Sequence, residues 1–162
     1  MRQRFGDCVS VGEAVAPLLI TITAKRIIMG AAASRDWQPQ HHDDVAATTQ
    51  MNLPGIILNT PTQAGWLSKY VTNWSGPNGR IGRMRFRMAR PICPGDEVAL
   101  RGRVSGARRA AEGWWWLQLD LAMECRQVIV TEAAALLALP DANGESPWRA
   151  TGPLWQPPAW LT

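Results

Sequence analysis

The feature that most constrains this chain is a change of period near its middle. From Thr60 to Trp74 the apolar residues Ala64, Leu67, Val71 and Trp74 recur along one stripe at helical spacing. After Gly82 the period becomes two: Gly82, Met84, Phe86 and Met88 alternate with Arg83, Arg85 and Arg87. Two further alternating rows follow, Val98, Leu100, Gly102, Val104 and then Trp115, Leu117, Leu119, Leu121, Met123. Val128–Leu139 predicts a last strand, although its alanine-rich half carries helical propensity. One long apolar helix followed by antiparallel strands predicts an α+β fold in which the sheet wraps the helix.

Local signals place the boundaries. Thr60 is the expected N-cap of the central helix, with Pro61 at its first position and Ser75-Gly76-Pro77-Asn78-Gly79 as its stop. Upstream, the β-branched and Leu-rich run Val15–Thr23 predicts a strand. Thr23 then caps a helix over Ala24–Ser34, where Ala24, Ile27, Ile28, Ala31 and Ala32 recur at helical spacing. Arg35–Asp43 is polar and contains Pro39, so it predicts a loop, and Asp43–Thr49 predicts a short helix. Pro94-Gly95-Asp96 and Ala107–Gly113 are the expected turns between strands. Residues 1–140 form one domain in this reading, and residues 141–162 a Pro- and Trp-rich tail without a period.

Composition narrows the partners. Nine Trp stand against one Tyr and two Phe, a surplus that points to an apolar groove or a subunit interface. The net charge of +4 favours anionic ligands. Arg83, Arg85 and Arg87 form a basic strand face, joined by Arg101 and Arg103; a solvated face, contacts to phosphates and contacts to a partner subunit all fit it. No nucleic-acid motif accompanies the charge, so nucleic acid is not an expected partner. The cysteines Cys8, Cys93 and Cys125 are odd in number and lack a CxxC pair, which fits a reducing cytoplasm. Neither a signal peptide nor a membrane span is expected, since the apolar run near Ala133–Leu139 falls short of the roughly 20 residues a span needs.

The chemistry is expected in the loop Asp36-Trp37-Gln38-Pro39-Gln40-His41. A carboxylate and an imidazole five residues apart sit poorly on one helix face, but in a bent loop they can converge. Such a pair sharing one water can move protons in both directions, as hydration and dehydration require. Taken alone, the two residues also fit a loop cap and a surface histidine. His41-His42-Asp43-Asp44 could suggest a metal site, but neighbouring side chains diverge and the chain has only two His, so no metal is expected. His42 is read as an exposed neighbour.

Asp36, Gln38, Pro39, Gln40 and His41, with Ala47 six residues later, resemble the Asp-x-Asn-Pro-aliphatic-His motif of the MaoC-like (R)-specific enoyl-CoA hydratases. Phe86–Asp96 looks like that family's strand and Pro-Gly-Asp turn, and the likeness spans about residues 5–140. Departures are Gln38 for Asn, Gln40 for an aliphatic residue, Arg35 for Gly, and Asn59-Thr60 for the His-Gly that opens the central helix. The resemblance implies a hot-dog fold and the reversible hydration of a 2-enoyl-CoA to a 3-hydroxyacyl-CoA of R configuration. In that reading Asp36 and His41 are catalytic, the Thr60 backbone N–H stabilises the enolate oxygen, and Gln38 and Asn59 contact substrate. No cofactor is needed beyond the coenzyme A of the substrate.

Two other functions are open. A hot-dog thioesterase typically carries a carboxylate on or near the central helix, and Thr60–Trp74 contains neither Asp nor Glu. A subunit that only shapes a partner's pocket would not need both Asp36 and His41. Gly55–Thr60 and Val71–Pro77 look like the small catalytic subunits of steroid side-chain hydratases, which pair with a second hot-dog subunit. A dimer is therefore expected, as a homodimer or a heteromer, with the tail tryptophans Trp148, Trp155 and Trp160 contributing apolar surface to it.

Overall fold

The computed structural model describes residues 2–161. A strand β1 (Ala14–Thr21) leads to a helix α1 (Ala24–Ala33), a loop region, and the central helix α2 (Thr60–Ser75). Four strands follow: β2 (Arg80–Met88), β3 (Glu97–Arg109), β4 (Trp114–Cys125) and β5 (Val128–Pro140). All pair antiparallel in one sheet of order β1-β3-β4-β5-β2, with α2 against its inner face. This is the hot-dog layout, and β1 and β2 are its two edges.

The strand pattern explains the layers. Leu117, Leu119, Leu121 and Met123 of β4 alternate inward with Leu137 and Leu139 of β5 and Leu100 and Val104 of β3. Fully burying each such side chain contributes about 1.5–3 kcal/mol. The three consecutive tryptophans divide as a strand requires. Trp115 packs on the inner core, and Trp114 and Trp116 face the other side. Gly102 leaves room for the Tyr70 ring, which a Cβ would approach to 3.3 Å. The alanine-rich half of β5 is a strand despite its propensity, because it is a central strand paired on both sides.

Several local expectations are corrected. Asn59, not Thr60, is the N-cap of α2: its backbone is extended and its side chain accepts the Thr62 N–H, so Pro61 falls at the second helical position. The buried stripe of α2 centres on Gln63, Leu67, Tyr70 and Val71, while Ala64 and Trp74 lie at its margins. Gln63 is tolerated there because Thr131 donates to its Oε1 at 2.6 Å and its amide donates to the Leu58 carbonyl. In β2 a register shift between Ile81 and Arg83 changes the phase. Gly82 consequently faces Trp116 and Pro157, and Ile81, Met84 and Phe86 pack on the core.

The tail does not stand free. It folds back over the outer face of the sheet, where Trp155, Trp160 and Leu161 cover Trp114, Trp116, Leu136 and Ala138. The outward arginines of β2 hold it. Arg80 donates to the carbonyls of Pro147 and Ala150 and stacks 3.6 Å from the Trp155 ring. Arg83 donates to the carbonyls of Pro157 and Pro158, and Arg85 lies 4.5 Å over Trp160. Trp155 and Trp160 are thus spent within the chain, and of the three tail tryptophans expected at an interface only Trp148 is largely exposed.

Candidate active site

The site begins where α1 ends. Ser34, Arg35 and Asp36 turn their N–H groups back to the carbonyls of Gly30, Ala32 and Ala31. Arg35 adopts a left-handed backbone with φ 55°. Glycine suits that conformation, and an L-residue there costs about 1 kcal/mol. The turn throws the Asp36 carboxylate toward the start of α2.

The loop beyond it is pinned at both ends. Pro39–His41 forms a single helical turn in which His41 N–H reaches the Gln38 carbonyl at 3.0 Å. The Ile57 N–H donates to the Gln40 carbonyl at 2.9 Å. His41 in turn donates its Nδ1–H to the Ile57 carbonyl at 2.8 Å, because a carbonyl can only accept. That bond fixes the ring and turns Nε2 toward Asp36, 3.3 Å from its Oδ2. His41 is 5% exposed, and Ala47, the small residue of the motif, is fully buried behind the loop.

The helix start completes the group. Asn59 donates from Nδ2 to Asp36 Oδ2 at 3.0 Å and to Ser34 Oγ at 2.8 Å. The Thr62 and Gln63 N–H groups are taken by Asn59, and Pro61 has none. Among the described residues the Thr60 N–H has no acceptor, so the positive end of α2 keeps one free donor, next in sequence to the Asn59 that holds Asp36. Thr60 Oγ donates to Met88 Sδ at 3.4 Å, which ties this end of the helix to the edge strand β2.

A mostly apolar cavity of about 330 Å³ opens next to the carboxylate, lined by Ile28, Ala31, Ala32, Asp36, Trp37 and His42. The exposed His42 of the sequence reading is part of that wall. Gln38 is exposed, and its carbonyl serves the loop turn. Asn59, expected to touch substrate, is 1% exposed with both amide hydrogens engaged. Ser34 and the Ile57 carbonyl were missed by sequence reasoning. A backbone carbonyl leaves no residue-type signal, and Ser34 reads as an ordinary helix end.

The neighbouring carboxylates serve the backbone. Asp43 caps the Ala46 N–H and Asp44 accepts from the Ile56 N–H. No three His, Cys, Asp or Glu side chains converge in metal-binding fashion among the described residues. Burial first, and then Asp96, push the thiols of Cys93 and Cys125 up from the ordinary cysteine value.

Fold and site together define a hot-dog protein with an Asp–His pair tied through Asn59 to the start of its central helix. A family model described as MaoC like domain matches residues 8–113, and the chain belongs to that family. The beta subunit of the 3-oxo-4,17-pregnadiene-20-carboxyl-CoA hydratase of Mycobacterium tuberculosis is 35% identical over 79 residues, 49% of this chain. That match spans 60% of the relative's length. A chain in the crystal structure of the ChsH1-ChsH2 complex from Mycobacterium tuberculosis is 25% identical, with a TM-score of 0.72 over 80% of this chain and 98% of that one. The (R)-hydratase from A. caviae involved in PHA biosynthesis shares the fold at 21% identity, with a TM-score of 0.73 over 82% of this chain and 98% of that one. No helix among the described residues is long and apolar enough to cross a membrane.

Proposed function

We propose that this chain hydrates a 2-enoyl-CoA to a 3-hydroxyacyl-CoA, and runs the reverse dehydration, with Asp36 and His41 as its acid–base pair. The observation that carries the reading is the fixed tautomer of His41. With Nδ1–H committed to the Ile57 carbonyl, a neutral ring presents the Nε2 lone pair beside a carboxylate. Two acceptors side by side recruit the two hydrogens of one water and leave its oxygen pointing outward. That oxygen adds to C3 of the enoyl thioester, one proton passes to the pair, and the pair returns a proton to C2. Charge builds on the thioester oxygen during the addition, and the Thr60 N–H with the dipole of α2 stabilises it there. No group other than the pair, the helix end and the coenzyme A of the substrate is required by this scheme.

The apolar wall of Ile28, Ala31, Ala32 and Trp37 beside Asp36 supports an aliphatic or alicyclic acyl group. The local likeness to a steroid hydratase subunit favours the bulkier end of that class. A partner subunit is part of the proposal. The edge β1 is blunted by Pro17 and a bulge between Val15 and Leu18, whereas β2 pairs regularly from Arg83 to Met88 and has one open side. Because Met88 touches Thr60, a subunit added along β2 would stand next to the site. The reading places the chain in a soluble compartment such as the cytoplasm.

The decisive experiment incubates the pure chain, alone and co-expressed with a second hot-dog subunit, with enoyl-CoAs from short linear to polycyclic. Loss of the conjugated double bond, with 3-hydroxyacyl-CoA as product, is expected. Release of free thiol in its place would make the protein a thioesterase.

A further inference from the structure

We infer that Asn59 is a positioning residue that holds the carboxylate of Asp36 in register with both His41 and the N-terminus of α2. The inference rests on the hydration reading for its kinetic consequence, but its geometry is independent of substrate.

Asn59 is 1% exposed, and every polar atom of its side chain is used. Oδ1 accepts the Thr62 N–H at 3.3 Å, one amide hydrogen goes to Asp36 Oδ2 at 3.0 Å, and the other goes to Ser34 Oγ at 2.8 Å. Ser34 is itself oriented, since its hydroxyl donates to the Gly30 carbonyl at 2.8 Å. These bonds fix the amide's orientation. Flipped, it would turn Oδ1 against the carboxylate and an NH2 against the Thr62 N–H, leaving buried groups unpaired.

The oxygen that Asn59 holds is the one that faces His41. Asp36 Oδ2 receives the amide and lies 3.3 Å from Nε2, while Oδ1 has no hydrogen-bond partner among the described residues. Asn59 therefore decides which carboxylate oxygen belongs to the pair and leaves the other for the reacting water. One side chain also spans two parts of the reaction. Its Oδ1 shapes the first turn of α2, from which the free Thr60 N–H projects, and its Nδ2 sets the proton-transfer group. The distance between the thioester oxygen site and the base is thereby fixed through a single residue. A displacement of about 1 Å between such groups can cost on the order of 100-fold in rate.

The test uses substitutions that separate capping from positioning. Asn59→Ser and Asn59→Thr both retain an uncharged N-cap acceptor, so a residue that only starts the helix would tolerate them. Neither can donate to Asp36 and Ser34 together. Positioning predicts that kcat falls about 100-fold in both, with KM changed less than about 3-fold, since the Asn59 side chain is buried with its polar atoms engaged inside the protein. Ser34→Ala, at an exposed position that frees one amide hydrogen, should lower kcat by a smaller factor and serves if the Asn59 variants fold poorly.

A second readout does not depend on turnover. The chain has only two histidines, so the His41 ring nitrogens can be followed by NMR. Asn59→Ser should move the Nε2 resonance in the direction that Asp36→Asn moves it. Unchanged kcat together with an unmoved His41 resonance overturns the inference. A wild-type protein inactive on every enoyl-CoA, with the His41 resonance still moved by Asn59→Ser, overturns the hydration reading and leaves the positioning role standing.

Discussion

His41 Nε2 stands 3.3 Å from Asp36 Oδ2, and the opposite ring nitrogen is bound to the Ile57 carbonyl at 2.8 Å. The ring is thus held from behind by backbone and faces a carboxylate in front. Substitution at either end of that line should remove activity without removing the fold. Asp36→Asn and His41→Ala are each expected to lower turnover of enoyl-CoAs by about 100- to 10,000-fold. Thermal unfolding should stay close to wild type for Asp36→Asn, because the amide can still accept from Asn59. Rates within a few-fold of wild type for both variants would end the assignment.

The open side of β2 predicts association. Light scattering of the purified chain should report a dimer, or a monomer that becomes a one-to-one complex on co-expression with a second hot-dog subunit. A fully active monomer at micromolar concentration would contradict the partner-completed site.

Arg80 is the principal clamp on the tail, with two carbonyls and the faces of Trp155 and Trp148 around its guanidinium. Arg80→Ala should cost about 2 kcal/mol in chemical denaturation, the usual scale for charge-assisted bonds joined to cation–π contact. Arg87→Ala, at the exposed end of the same row, should fall within about 0.5 kcal/mol of wild type. Equal effects of the two would show that the row acts only as general charge.

Tyr70 offers a pH test. Burial pushes its phenol up to about 12, with Arg101 opposing to a lesser degree, and its hydroxyl donates to the carbonyls of Val15 and Ala16. The unfolded chain ionises near 10, so the neutral phenol favours the folded state. That contribution is complete below pH 10 and is lost as pH rises toward 12. Urea midpoints should fall across this window in the wild type and fall less in Tyr70→Phe. The chain has one Tyr, so phenolate absorbance reports this group directly.

How much of this could be read from the sequence differs by element. The period change between α2 and the strands gave the α+β layout, because burial on one face of a helix or strand leaves its mark every three to four or every two residues. The loop was also legible, since Asp36, Pro39 and His41 lie close enough in sequence for one turn to join them. The sequence points to Thr60 as the N-cap, whereas Asn59 fills it. Asn and Thr adjacent to a Pro compete for that position, and the contest is settled by which side chain is also wanted elsewhere. The alternation of residue types puts Gly82 on the inner face, but the bulge between Ile81 and Arg83 adds a residue that leaves no mark in that alternation.

The sequence by itself determined the elements, their order and the residue types at the reacting loop, because those depend on local propensity and on which side chains water rejects. Tertiary structure alone decided how they meet. Asn59 reaches Asp36 across 23 residues, and Arg83 reaches Pro158 across 75. Such contacts carry no local signature: a buried amide, a backbone carbonyl behind a histidine, or a tail laid over a row of arginines satisfies hydrogen bonds that arise only once the sheet has closed around its helix.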